Sequence, residues 1–216
     1  MINLIGAYIV TIFLVGLVSK RPSLARGEAE LTRIPLVAHG ILLFLLFFLF
    51  IDVAFPQTVS FWPLQILTTL VTGATLWIHE AGHIYWGWDG EFLHSFGGTL
   101  NEILFSLVPA LYCYRKRYVL FSALFLFWFG HLSFGISHYM GDARAQVLPL
   151  LGNGTHDWLV VLGKLSLLQY DTMLSKWVWW IGVLVSLLSL FSYARHIFEL
   201  NQSNRNGPSE ISKRSK

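Results

Sequence analysis

The chain has 216 residues, 55% of them hydrophobic and only 12% charged, about half the charge of an ordinary soluble domain. Nine Trp and seventeen Phe are more aromatic surface than one core of this size can hide, and the formal charge of +3 sits beside apolar runs. A soluble globular domain, a disordered chain and a disulfide scaffold (Cys113 is the only cysteine) are excluded, and the charge does not argue for a nucleic-acid partner; a multi-pass membrane protein remains.

A crossing helix needs about 20 apolar residues. Run one covers residues 2–18 and is closed by Lys20 and Arg21. No basic residue precedes it and no small-residue cleavage site follows it, so it reads as a retained span. Run two covers 34–55 and carries His39 and Asp52. Run three covers 61–88. Run four, 99–114, is shorter and contains Asn101, Glu102 and Pro109. Run five covers 118–140 and run six 177–193. Between the last two lies a long connection with a Gly152-Asn153-Gly154 turn, a glycosylation sequon at Asn153 and an apolar stretch at 158–168 that reads as an interfacial helix. The predicted architecture is an all-α integral membrane protein, a six-span helical bundle over residues 1–195. A polar, disordered tail is expected at 196–216. The alternative for run four is a re-entrant segment after the helix of run three. Basic residues divide almost evenly between the two faces, so charge does not set the orientation.

Run three contains His79-Glu80-Ala81-Gly82-His83, the pattern HExxH. Histidines at i and i+4 share one helix face and can hold one Zn²⁺ together. Glu80 is rotated about 100° from His79. It can face a zinc-bound water and take its proton without being a ligand. Ionisable groups within one turn of a membrane helix are costly and call for a reason. Gln65, Thr68, Thr72, Thr75, His79 and His83 fall within roughly 80° on the helical wheel, a polar stripe that must face protein or water. Trp62 and Trp86 bracket the run as interfacial belts, which sets the histidines about 5–10 Å inside one interface.

A zinc site needs a third ligand. His131, Gly135, His138 and Asp142 lie within about 60° of one another on run five. If run four crosses, the ends of runs three and five share a face with the connection that holds His156 and Asp157. Asp142 is the leading third-ligand candidate, with His156 and His138 as alternatives. Asp157 reads as an acid favouring a helix N-terminus, with Thr155 as cap. Asn101 and Glu102 lie near the same interface and are candidates to bind substrate or orient a ligand.

With HExxH inside a span and a glycine-rich connection at 90–98, the chain resembles the site-2 protease family of intramembrane zinc metalloproteases. The resemblance covers about residues 61–145 and implies hydrolysis of a peptide bond in or near the bilayer, with a membrane-anchored peptide or protein as substrate. It implies that the connection forms a membrane-dipping β-hairpin that presents substrate; Phe96-Gly97-Gly98-Thr99 is similar, with Gly97 and Gly98 as substrate-binding positions. It also implies an Asp ligand at the start of a later helix, in an Asn-Pro-x-x-x-Asp-Gly-like motif. The nearest equivalent here is Gly141-Asp142-Ala143, with the glycine before the acid. Two readings from other classes compete. HExxH with His131, His138, Asp142 and Glu102 would suit a di-iron-type membrane oxidoreductase, although the chain has no adjacent His-His pair. A non-catalytic, zinc-stapled membrane protein is the other.

Overall fold

The structure is a computed structural model that describes residues 34–56, 62–150 and 155–206, with backbone alone over 203–206. Run one and the sequon asparagine lie outside the described residues. Every regular element among those residues is helical. They are α1 (Leu36–Ala54), α2 (Trp62–Trp86), α3 (Gly90–Arg115), α4 (Val119–Gly141), α5 (Asp157–Lys164) and α6 (Asp171–Asn206), with single 3₁₀ turns at Gly87–Asp89 and Leu168–Tyr170. Four stretches are long and apolar enough to cross a membrane: Leu36–Ala54, Trp62–Arg115, Val119–Gly141 and Leu168–Gln202. Their outer faces carry exposed Leu70, Trp77, Ile84 and Phe191, a surface suited to lipid rather than water.

The second stretch is two helices, not one. Gly90 has φ 90° and ψ 175°, a conformation open essentially to glycine alone, and the chain reverses there. α3 then runs back along α2: Asn101 Nδ2 donates to the Ile78 carbonyl at 2.7 Å. Gly82 and Gly97 face each other across the seam. A methyl on Gly97 would lie 2.8 Å from the Gly82 carbonyl oxygen, so only glycine permits this backbone approach. The β-hairpin implied by the resemblance is therefore replaced by the opening turns of α3. A helix satisfies its own peptide groups in an apolar medium, whereas an isolated hairpin leaves its edges unpaired.

α4 is the central helix. One side packs with Leu46, Leu49 and Phe50 of α1 and Leu190 and Tyr193 of α6. Its other end packs through Ile136 and Met140 on Trp158, Val161 and Leu162 of α5. The α4–α6 pair is antiparallel and built from small residues. Ser137 Oγ donates to the Ser175 carbonyl at 2.8 Å, and Ser189 Oγ donates to the Ala123 carbonyl at 2.6 Å. At the turn into α6, Arg144 grips the buried Asp171 with two bonds, at 2.8 and 2.7 Å. α6 runs well past run six and continues through Asn206. No helix breaker intervenes, and Arg195 pairs with Glu199 one turn on, at 2.8 Å. The tail expected from 196 is thus helical at its start, and 207–216 lie outside the described residues.

The small-residue seam yields a contrast. A carbon added at Gly130 would meet the Ser186 side chain, with the Gly182 carbonyl 3.1 Å away, whereas one added at Gly135 has nothing within 4 Å. Gly130→Leu should cost about 1–3 kcal/mol through overpacking. Gly135→Leu should leave stability unchanged. Thermal unfolding of the two variants in detergent micelles checks this.

Candidate metal centre

The histidines of HExxH sit in the last two turns of α2, their rings 4.8 Å apart and 75° inclined. Helical spacing brings them together, as the i, i+4 pattern requires. Each has one nitrogen fixed by a neighbour. His83 Nδ1 donates to the His94 carbonyl at 2.7 Å. His79 Nδ1 lies 3.3 Å from Oε1 of Glu102, a buried carboxylate on α3. With Nδ1–H bonded, Nε2 is the nitrogen left to face a metal, offering a lone pair once it gives up the proton it shares with a carboxylate. Both Nε2 atoms point to one place, and there they meet Asp157. Its Oδ2 is 3.3 Å from His79 Nε2 and 3.4 Å from His83 Nε2.

Those lengths are informative. Zinc bonds of about 2.0–2.1 Å in a tetrahedron put neighbouring ligand atoms about 3.3 Å apart. The two imidazole-to-carboxylate distances match that edge. All three ligand atoms lie within 4.8 Å of one another, so the group can hold a metal ion. Burial pushes the Asp157 carboxyl up, but bonds from His79 and His83 more than offset it and bring it down to about 2. The carboxylate is therefore ionised, as a ligand must be. Glu80 follows His79 on α2 and is half-buried.

Asp157 arrives from outside the long helices. It is the first residue of α5. Trp158, Val161 and Leu162 form the buried face of that helix and pack on α4 and on Phe92 and Phe96 of α3, an i, i+3, i+4 pattern. Lys164 closes the far end on Glu91 at 2.7 Å. The apolar face thus aims the acid.

The other expected residues are placed differently. Asp142 does not join the histidines of α2. Its Oδ1 and Oδ2 accept the N–H groups of Val147 and Leu148, both at 3.0 Å. Burial pushes its carboxyl up, but those bonds and His156 hold it below the usual range. It staples the loop after α4, because a carboxylate at a helix end finds its own downstream N–H groups first. His156 is fully buried, stacked on Tyr139 at 4.1 Å, with Nε2 3.5 Å from Asp142 Oδ2. It is not a member of the metal-holding group that His79 and His83 form. His138 is exposed on α4, and His131 is buried without joining any metal-holding group among the described residues. Gly97, Gly98 and Asn101 lie in the α2–α3 seam, and Glu102 pairs with His79. Gly98 makes room for the ligand itself: a methyl there would lie 2.5 Å from His79 Nε2.

Two outcomes follow for metal content. Asp157→Ala should lower bound metal at least about tenfold, the usual cost of disturbing a ligand set, whereas Asp142→Asn keeps it at the wild-type level. Gly98→Ala should also lose metal, although alanine favours a helix, because its methyl displaces the His79 ring. Metal analysis of the three purified variants checks both.

No family model, no curated protein and no solved structure matches this chain, and the site itself is what carries a functional reading.

Proposed function

We propose that the protein is a membrane-embedded zinc metallohydrolase of the site-2 protease type, cleaving a peptide bond of a membrane-anchored substrate. The observation that carries this reading is the Asp157 carboxylate oxygen at tetrahedral edge length from both His79 and His83, the three ligand atoms within 4.8 Å of one another, with the outer nitrogen of each histidine already engaged. Zinc fits this set of two imidazoles and one carboxylate, which leaves a fourth position open for water or substrate, as catalytic sites do. When bound, the ion supplies Lewis acidity toward the scissile carbonyl and makes a water acidic near neutral pH. Glu80 stands beside the ligands without being one and acts as the general base. Glu102 holds the His79 ring in the orientation and tautomer that present Nε2. Asp157 at the head of α5 supports the resemblance in position, since that family takes its third ligand from an Asp at the start of a later helix.

The same reading carries a topology. Counting α1, α2, α3, α4 and α6 as crossings, and adding residues 2–18, gives the six-span bundle. The metal centre then lies where the ends of α2 and α4 meet the starts of α3 and α5, near one membrane face. A soluble folded chain would not reach it, and a membrane-anchored peptide would.

Glu80→Gln keeps the shape and removes the base. It should retain fold and zinc and lower peptide hydrolysis at least about 10²-fold. The measurement is cleavage of membrane-anchored peptides in liposomes, read by mass spectrometry beside zinc content. A variant that keeps full activity would remove Glu80 as base and the protease reading with it. A variant that loses zinc would make Glu80 a ligand and favour a two-metal centre.

A further inference from the structure

We infer that Tyr139 is a positioning residue of the metal centre, one that sets the geometry of Asp157 through two bonds from a single hydroxyl. The inference rests on the metal-centre reading above and extends it to a residue outside HExxH and its carboxylate.

The Tyr139 hydroxyl accepts the backbone N–H of Asp157 at 3.2 Å and donates toward Asp157 Oδ2 at 3.4 Å. The first bond matters because α5 begins at Asp157. The opening N–H groups of a helix have no partner within it, and the residue before, His156, offers no side-chain cap. Tyr139, from the last turns of α4, therefore caps α5 from another helix. The second bond reaches the same oxygen that lies between His79 Nε2 and His83 Nε2. One hydroxyl thus fixes both the main chain and the carboxylate of a proposed ligand. A carboxylate at a helix start can otherwise turn to its own first-turn N–H groups, as Asp142 does with its loop.

The ring holds the hydroxyl in place. His156 stacks on one side at 4.1 Å and 29°. His79 meets the ring edge-on at 6.4 Å and 71°. The tyrosine is wedged between a ligand and the residue preceding another ligand, and it is half-buried. Its hydroxyl is therefore delivered to Asp157 with little rotational freedom. Outer partners of metal ligands typically contribute about 10–100-fold to metal affinity.

The test uses full-length protein in detergent micelles. Tyr139→Phe keeps the ring and its stacking and removes only the hydroxyl. Zn²⁺ affinity is measured by competition with a chelating dye. The visible bands of the Co²⁺-loaded protein report coordination geometry. The expected result is about 10–100-fold weaker Zn²⁺ binding, shifted Co²⁺ bands and, without metal, no more than the small fall in thermal midpoint that loss of one helix cap brings. In an Asp157→Ala background, Tyr139→Phe should bring no further loss, because the tyrosine acts through that carboxylate. Wild-type affinity and Co²⁺ bands in Tyr139→Phe would overturn the inference while leaving the metal centre standing. An equal further loss in the Asp157→Ala background would also overturn it, by assigning Tyr139 to general folding. A wild-type protein that takes up no zinc would remove the metal centre itself.

Discussion

The arrangement turns on one carboxylate shared by two imidazoles. His79, His83 and Asp157 lie among helices whose other surfaces are apolar, and a buried charge without a partner there is costly. Each of these three groups is therefore tied to another. Glu102 holds His79, the His94 carbonyl holds His83, and Tyr139 holds Asp157. The packing serves the same end. The glycine seam lets α3 approach α2 closely enough for Glu102 to reach a histidine on its neighbour. The apolar face of α5 drives its first residue toward both.

The long helices were legible in the sequence because their signal is local. Apolar runs two, three, five and six correspond to α1, α2, α4 and α6, and the apolar stretch that begins at 158 yields α5. The HExxH pair was legible for the same reason, since i, i+4 spacing fixes which side chains meet. α3 was longer than its apolar run suggested, because residues 90–98 have polar and glycine positions that only make sense against α2. Its glycines resemble a loop in sequence and act as a packing surface in the fold.

The third member of the site was not legible, and the reason is physical. Asp157 reaches the histidines through the docking of α5, a tertiary event that no spacing within α2 or α4 encodes. The triplet His156-Asp157-Trp158 drew attention to the right place. Residue type favoured the histidine, but the helix start turned His156 inward onto Tyr139 and left Asp157 facing α2. Asp142 was favoured by its wheel position, yet its two carboxylate oxygens are taken up by the backbone N–H groups a few residues downstream.

That the carboxylate comes from α5 has a consequence for how the protein is made. Synthesis delivers α2 with both histidines long before the acid emerges, and two imidazoles alone bind divalent ions weakly. In the proposed metal centre, a half-made chain would thus be a poor competitor for zinc. Tight capture would wait until α4 is seated and α5 has docked on it, so metal retention would report that the bundle is complete. The ion would be a late seal on correct assembly, and a chain stalled before α5 would carry the HExxH pattern without the acid that completes the group.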